Sequence, residues 1–379
     1  MKNLLFLFVC FYLFGCNQNV QPKKADPVLE IEHSTDQYFF IGTYTGTDTG
    51  SNGIYKASID QHGKMMNHGL ASQSDNPSFL VIANNKSNLI AVNEISGHGN
   101  MGSIESYEIK KDTLILLSTS TTGGAHPCHV QVNSNGDVIA SNYTGGNIGL
   151  LSIDENGNLS NLKSSLQFEG SGPNKERQEA AHAHSSWFLN DKTILSADLG
   201  TDHVWKVDYA GGRLALDEEV SLQLNPGAGP RHLAIHPHGE YIYSMNELDN
   251  TVGTISINKK GDMTYESSSS TLPKDFKGFN KTADIHIDRA GKFLYASNRG
   301  HNSIAVFKIG DNGKLNHIQR ISTEGDGPRN FQITPDQKFV IVANQHTGNL
   351  VSFSRDLQTG MLRLNSNLSM PSPVCIAFL

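Results

Sequence analysis

Two arginines, one glutamate and two histidines are the residues of this sequence best suited to chemistry on a small acid or ester. They are Arg231 and Glu247 in GPRHLAIHPHGEYIYSMNEL, Arg299 in SNRG, and His182 and His184 in HAH. Arginine binds carboxylates and phosphates through parallel hydrogen bonds, and glutamate and histidine can transfer protons. The set therefore suits an anionic or polarised substrate, provided that the fold brings its members together.

The segment around Arg231 and Glu247 predicts that these two residues lie side by side. RHLAI and YIYSMNE are β-branched and aromatic runs, and the residues between them, HPHGE, are typical of a turn. A hairpin about His238/Gly239 places Arg231 opposite Glu247, since each is eight residues from Gly239. The pair is either an ion pair that stabilises the hairpin or part of a site.

The same hairpin recurs along the chain, and this repetition predicts the fold. Its second strand ends at a polar residue roughly every 50 residues, namely at Thr43, Asn93, Asn142, Asp198, Asn246, Asn298 and Asn344. A third and a fourth strand follow in each repeat. Seven repeats of four strands predict an all-β, seven-bladed β-propeller.

The two chain ends predict how the ring closes. The first repeat has no first strand, whereas SPVCIAFL at the end of the chain is a first strand with nothing after it. We therefore expect the N- and C-terminal strands to share one blade, with Pro373–Leu379 beside Phe39–Tyr44. This arrangement removes an open sheet edge.

A propeller would gather the candidate residues at one end of its axis. The innermost strands line the axis and start at the same end, so starts of first strands and ends of second strands converge on one mouth. The candidates there are His182, His184, Arg231, Glu247 and Arg299, and Asp284 and His286 in KTADIHID are further candidates. For the two HAH histidines, hydrogen bonding to the backbone at a blade mouth is the structural alternative.

Composition and charge argue against several classes of function. The net charge is −7, and the chain has no basic cluster, so nothing favours nucleic-acid binding. No Cys/His spacing is typical of a zinc site, and we expect neither a metal nor another cofactor. Cys128 and Cys375 each lie in an innermost strand and are expected to be buried free thiols. We expect a monomer.

The N-terminus predicts export. Residues 1–15 contain a lysine and a short apolar run, which is too short for a spanning helix and typical of a signal peptide. LFGC resembles a bacterial lipobox, which implies lipidation of Cys16; an ordinary signal peptide that contains a cysteine is the alternative. Residues 16–35 are expected to form a flexible tether and residues 36–379 the propeller. These features predict a bacterial cell-envelope protein held at the membrane by a lipid.

Several segments resemble the seven-bladed lactonase family, which includes propeller-type 6-phosphogluconolactonases and 3-carboxy-cis,cis-muconate lactonising enzymes. The segments are GPRHLAIHPHGEYIYSMNEL, ERQEAAHAHS, ADIHIDRAGKFLYASNRGHNSIAVF and GPRNFQITPDQKFVIVAN, and the resemblance covers residues 36–379. It implies a carboxylic-ester hydrolase that opens a sugar-type lactone without an obligatory metal. The resemblance implies catalysis by a histidine of HAH, Arg231, Glu247 and Arg299, and we expect Arg177, Asp284 and His286 to bind substrate.

Two other functions stay open. One is a cyclase or lyase acting on an unsaturated polycarboxylate, and the other is a non-catalytic propeller that binds a ligand or partner at the cell envelope. The identity of the lactone is open as well. An exported protein would not meet a cytosolic phosphosugar, and the sequence places fewer lysines and arginines at the mouth than a phosphate group favours.

Overall fold

The described part of the chain consists mainly of β-strands arranged in seven sheets, with a 3₁₀ helix at His98–Asn100. The structure, a computed structural model, describes Met1 and residues 36–379 apart from residues 84, 85, 112 and 211. Most of the predicted signal peptide, the predicted lipidation site at Cys16 and the tether therefore lie outside the described residues. Among the residues that the structure does describe, no helix could span a bilayer.

Each sheet is a four-stranded antiparallel blade. Blade 1 is formed, from inside to outside, by β28 (Pro373–Phe378), β1 (Gln37–Thr43), β2 (Gly53–Ile59) and β3 (Met65–Gln73). Blade 2 contains β4 (Pro77–Ile82), β5 (Asn88–Asn93), β6 (Ser103–Ile109) and β7 (Leu114–Thr121), and blade 3 contains β8 (Pro127–Val132), β9 (Asp137–Asn142), β10 (Asn147–Ser152) and β11 (Ser164–Gln167). Blade 4 contains β12 (Ala183–Asn190), β13 (Thr193–Asp198), β14 (His203–Ala210) and β15 (Arg213–Gln223).

The remaining three blades follow the same plan. Blade 5 contains β16 (Pro230–Ile235), β17 (Tyr241–Asn246), β18 (Thr251–Ile257) and β19 (Met263–Ser270), and blade 6 contains β20 (Lys281–Ile287), β21 (Phe293–Arg299), β22 (Ser303–Ile309) and β23 (Leu315–Ser322). Blade 7 contains β24 (Pro328–Ile333), β25 (Phe339–Asn344), β26 (Asn349–Arg355) and β27 (Leu362–Ser369). Each innermost strand contacts the innermost strands of its two neighbours, so the seven blades surround one axis. The predicted seven-bladed propeller is confirmed.

The apolar cores lie between neighbouring blades. The second strands are buried on both faces; all six residues of β25, for example, are buried. Phe39 and Ile41 of β1 pack with Phe339 and Ile341 of β25 in one cluster between blades 7 and 1. Burial on both faces explains why these strands read as continuous apolar runs in the sequence.

The shared blade closes the ring as predicted. β28 pairs antiparallel with β1, from Phe39 opposite Phe378 to Thr43 opposite Pro373. Backbone hydrogen bonds extend the ladder at both ends, because Tyr44 donates to Ser372 at 3.1 Å and Leu379 donates to Tyr38 at 3.0 Å.

Every innermost strand carries a β-bulge near its start. The ladder shifts register between the first and third residue of β4, β8, β12, β16 and β24, between Thr282 and Ile285 in β20, and opposite Gly42/Thr43 in β28. In six of the strands the extra residue is the second one, namely Ser78, Cys128, His184, Arg231, Arg329 and Val374, whereas in β20 Ala283 and Asp284 together face Ser297. A bulge re-aims a side chain and is common beside active sites.

The bulge corrects the predicted register of the blade 5 hairpin. Pro230 pairs with Asn246 and His232 pairs with Met245, so Arg231 is not opposite Glu247. The predicted register counted both residues from Gly239, whereas the turn is centred between His238 and Gly239, which shifts the pairing by one residue. The bulge at Arg231 shifts the pairing by one more residue. The contact between the two charged side chains nevertheless exists, as described next.

Candidate active site

A pocket of about 310 Å³ opens at the end of the axis where the innermost strands begin. It is lined by Tyr44, Glu94, Cys128, Tyr143, Arg177, His184, Glu247, Lys281, Arg299 and Arg329. These residues lie at starts of first strands, at or after ends of second strands, and in the loop before β12. The structure thus brings four of the predicted site residues to one mouth: Arg177, His184, Glu247 and Arg299.

Glu247 is the centre of a buried ion-pair cluster. Its Oε1 accepts a hydrogen bond from Arg177 Nη2 at 2.7 Å, and its Oε2 accepts one from Arg299 Nη2 at 2.7 Å. Arg231 Nε lies 3.1 Å from the same Oε2, without hydrogen-bond geometry. Burial alone would raise the pKa of Glu247, but Arg299, Arg231 and Arg177 outweigh it and hold this pKa well below its usual value.

Arg231 lies beneath the pocket and is held by a chain of polar contacts. Its Nη1 donates to Ala283 O and to His232 Nε2, the latter at 3.3 Å. His232 Nδ1 in turn donates to Asp284 Oδ1 at 2.7 Å. Burial and the nearby Arg231 lower the pKa of His232 to about 4, so this imidazole is neutral at pH 7 and accepts the guanidinium hydrogen.

The two HAH histidines have different surroundings. His184, the bulged residue of blade 4, is buried and lines the pocket. Burial, followed by the charge of Arg231, holds the pKa of His184 well below its usual value. His182 stacks on Tyr143 with ring centroids 4.5 Å apart, and its Nδ1 donates to the Tyr143 carbonyl at 3.0 Å. His182 therefore shows the backbone hydrogen bond of the structural alternative, and His184 is the histidine of the pocket.

The structure does not bring Asp284 and His286 to this pocket. Both line a cavity of about 400 Å³ toward which the innermost strands end. Asp284 Oδ2 accepts hydrogen bonds from His286 Nε2 at 2.9 Å and from Asn330 Nδ2 at 2.6 Å. Asp284 therefore ties innermost strands together and supports Arg231 through His232, instead of facing the candidate pocket.

The two cavities share no lining residue, and three rings pack against one another beside the larger one. The centroid of Phe79 lies 4.5 Å from that of His129 and 5.8 Å from that of His232, and the two histidine centroids are 5.6 Å apart. His129 and His232 are buried. We call these three side chains the axial floor.

Comparisons with known proteins were consistent with this architecture. The model of the family described as "Lactonase, 7-bladed beta-propeller" matches residues 38–378. The chain belongs to this lactonase family.

Relatives of this chain include enzymes named as lactonases. The chain is 36% identical over 348 residues to a 6-phosphogluconolactonase of Bacillus subtilis, covering 90% of this chain and 97% of the relative. It is 35% identical to a 6-phosphogluconolactonase of Formosa agariphila, covering 86% and 94% of the two chains. The solved structure of a periplasmic gluconolactonase from Pseudomonas aeruginosa matches with a TM-score of 0.85 and 27% identity, covering 91% of this chain and 99% of that chain.

In this lactonase-family propeller, the pocket contains charged residues that the sequence reasoning missed. Glu94 follows Asn93 in LIAVNE as Glu247 follows Asn246 in YSMNE, and Arg329 follows Gly-Pro in GPRN as Arg231 does in GPRH. Comparison of equivalent repeat positions could have predicted both Glu94 and Arg329. Lys281 begins an innermost strand and carried no such signal.

The additional cations correct one expectation from the sequence. Arg177, Arg299, Arg329 and Lys281 line the pocket and Arg231 lies beneath it, whereas its only carboxylates among the described lining residues are Glu94 and Glu247. The mouth therefore carries the positive charge that an anionic group such as a phosphate favours.

Proposed function

We propose that this protein hydrolyses a sugar-type lactone to its hydroxy acid, without a metal ion. The observation that carries the proposal is a pair of guanidinium donors, Arg177 Nη1 and Arg299 Nε, which are buried and have no hydrogen-bond partner among the described residues. Both arginines line the pocket. A buried donor without a partner is costly, and a rotation of the guanidinium toward a substrate oxygen in the pocket would satisfy it.

These donors suit the charge that develops when a lactone opens. Addition of water to the carbonyl carbon places negative charge on the carbonyl oxygen, and prearranged donors stabilise this oxyanion. Glu247 holds Arg177 and Arg299 in place through hydrogen bonds of 2.7 Å. We therefore assign both arginines to the substrate anion and the oxyanion, with Arg231 and Glu247 as the charged support beneath them.

The relatives support a lactone as the substrate, and the charge of the pocket supports one that carries an anionic group. Two relatives are named 6-phosphogluconolactonase, and one structural neighbour is a gluconolactonase. We propose an aldonolactone, and the excess of cations over carboxylates favours a form that carries an anionic group. The export proposed below favours a carboxylated form over a cytosolic phosphosugar.

Acid release from a panel of lactones tests the proposed function. We expect release in a pH-stat assay from 6-phosphogluconolactone or another aldonolactone, unchanged by EDTA. Arg177→Ala and Arg299→Ala should each lower kcat/KM roughly 100-fold or more, the scale of one lost oxyanion donor. Lys64→Ala, at an exposed turn position of blade 1, is the control. Absence of acid release across the panel would contradict the proposal, and loss of ultraviolet absorbance from a conjugated muconate would indicate a cyclase instead.

For the location, we propose an exported protein with a lipid on Cys16. The lipobox-like LFGC supports the anchor. The periplasmic location named for the Pseudomonas aeruginosa neighbour supports export.

A further inference from the structure

The pocket contains two carboxylates from equivalent positions of the repeat, in opposite environments. Glu94 follows the last residue of β5, and Glu247 follows the last residue of β17. Glu247 has three guanidinium groups within 3.1 Å, and its side chain is 4% exposed. Glu94 is 17% exposed, and Arg329 Nη2 lies 3.8 Å from its Oε2.

Glu247 is poorly suited to accept a proton. Both of its oxygens already accept hydrogen bonds from arginines, and those charges hold its pKa well below the usual value despite burial. A carboxylate so stabilised in its ionised form has little tendency to take a proton from water. Two titratable groups in contrasting environments are the usual sign of divided roles in a site.

Glu94 has the geometry that Glu247 lacks. Its Oε2 accepts a hydrogen bond from Tyr44 Oη at 2.7 Å. Its Oε1 accepts no hydrogen bond from any residue that the structure describes, and Glu94 lines the pocket. One oxygen is therefore fixed, and the other is available to a water molecule in the pocket.

Residues of two other blades fix the Glu94 carboxylate. Burial raises the pKa of Tyr44 far above its usual value, so the phenol keeps its proton and donates it. The Arg329 guanidinium lies over the Tyr44 ring, 5.2 Å from its centroid. Tyr44 follows β1 in blade 1, and Arg329 is the bulged residue of blade 7.

His184 is the other candidate base in the pocket, and its surroundings oppose that role. It is buried, and burial together with the charge of Arg231 holds its pKa well below the usual value. Its Nδ1 lies 3.7 Å from the Cys128 sulfur. A neutral imidazole that resists protonation is a weak acceptor for the proton of an attacking water.

We propose that Glu94 is the general base of lactone opening and that Tyr44 and Arg329 position its carboxylate. The assignment rests on the proposed function. Glu94 takes one proton from water while the water oxygen bonds to the lactone carbonyl carbon, and the carbonyl π electrons move to the oxygen, forming an alkoxide. The alkoxide then re-forms the carbonyl, the bond from carbon to the ring oxygen breaks, and protonated Glu94 returns its proton to that oxygen. The product is the open-chain hydroxy acid.

Glu94→Gln tests the assignment on a lactone that the wild-type protein hydrolyses. We expect kcat to fall about 100- to 10,000-fold, the range for a lost general base, while KM changes little. The residual rate should rise tenfold per pH unit, because hydroxide then replaces the activated water, whereas the wild-type rate should level off. Glu108→Gln is the matched control, since Glu108 is an exposed glutamate of the same blade.

Chemical rescue separates a catalytic carboxylate from a structural one. In Glu94→Ala, added formate should restore turnover in a saturable manner, and it should leave Glu108→Gln unaffected. Tyr44→Phe keeps the ring beneath Arg329 but removes the hydrogen bond, so kcat should fall about tenfold, the value of one hydrogen bond to a charged group.

The outcomes distinguish this assignment from the function on which it rests. A wild-type protein that opens no lactone overturns both. An active wild-type protein with a Glu94→Gln variant within about threefold of it overturns only the assignment. A folded but inactive Glu94→Ala variant that formate does not rescue also overturns it, because the carboxylate would then be structural.

Discussion

At the scale of single residues, one buried carboxylate organises the cationic side of the pocket. Glu247 contacts Arg177, Arg231 and Arg299, which come from a loop, an innermost strand and a second strand. Without its negative charge, three guanidinium groups would lie close together in a site where water screens them little. Its role is therefore electrostatic in the folded state, whichever group accepts the proton.

We expect Glu247→Gln to destabilise the protein as well as inactivate it. An exposed pair would cost about 0–1 kcal/mol, but this cluster is buried, and breaking a buried pair typically costs about 3–5 kcal/mol. Denaturant unfolding measures the loss, and added sulfate should recover part of it by binding the freed arginines. Glu108→Gln, which breaks an exposed pair with Lys110, is the control. Equal stability of the two variants would contradict this expectation.

The contribution of Glu247 to the free energy of unfolding should decrease as the pH is lowered. Its pKa is lower in the folded state than the ordinary value of 4.5, so its stabilising effect is complete above that value and is lost as the pH falls toward the folded-state pKa. The difference in unfolding free energy between wild type and Glu247→Gln should be constant from about pH 6 to 8 and shrink below about pH 4.5. Thermal or urea unfolding across this range provides the measurement, and a difference that grows in acid would contradict it.

At the scale of structural elements, the bulges decide which side chains reach the pocket. Cys128, His184 and Arg329 line the pocket, and Arg231 lies beneath it. All four occupy the bulge position of their innermost strand. Strand alternation alone would not turn them to the mouth.

One buried aspartate connects the loops that carry two of the arginines. Asp202 Oδ1 accepts hydrogen bonds from Gln178 Nε2 at 2.7 Å and from the Gly229 amide at 2.8 Å, and its Oδ2 accepts one from the Gly227 amide at 2.7 Å. Gln178 follows Arg177, and Gly229 precedes the Pro230–Arg231 bulge. Asp202 therefore positions both arginines without touching the pocket.

Asp202→Ala should impair stability and catalysis together. It leaves two buried donors and one half-buried donor without an acceptor, and we expect a loss of about 2 kcal/mol or more, since each unsatisfied buried group costs about 1–3 kcal/mol. kcat/KM should fall because both loops lose their common anchor. Unfolding curves and steady-state kinetics measure the two effects, with Asp311→Ala at an exposed turn as the control. Unchanged kinetics would show that the loops hold the arginines without Asp202.

The repeat predicted the fold and the mouth, but not the local geometry of the site. Strand number, ring closure and the convergence of Arg231, Glu247 and Arg299 followed from spacing alone. The bulge at Arg231 depends on contacts in three dimensions, so the predicted register failed. Asp284 and His286 lie farther along their strand, and the sequence did not show that this places them below the mouth.

At the scale of the whole molecule, the shared blade holds the ring together. β28 is the innermost strand of blade 1 and contacts β4 and β24 on its two sides. Deleting residues 371–379 should leave β1 with an unpaired edge and expose the faces of two neighbouring cores, so we expect an insoluble or aggregated product. Size-exclusion chromatography and circular dichroism provide the measurement. A soluble monomer with an unchanged melting temperature would contradict the role of this strand in closure.

The proposed anchor also concerns the whole molecule. Cys16→Ser should release the protein from the membrane fraction or leave the signal uncleaved, because the thiol is the proposed site of the lipid. Fractionation and mass spectrometry of the mature N-terminus provide the measurement, with Cys10→Ser as the control within the signal segment. An unmodified mature N-terminus away from Cys16 would contradict the anchor.

The axial floor of Phe79, His129 and His232 has a kinetic consequence. The pocket shares no lining residue with the cavity on the other side of this floor, so we expect substrate and product to pass through the same end of the ring. In the proposed reaction, the hydroxy acid would then leave by the route that the next lactone takes to enter, and it carries the negative charge that the arginines attract. Product and substrate then compete for the same pocket, so inhibition by the acid should be competitive. At high conversion, turnover should be limited by the rate of product release.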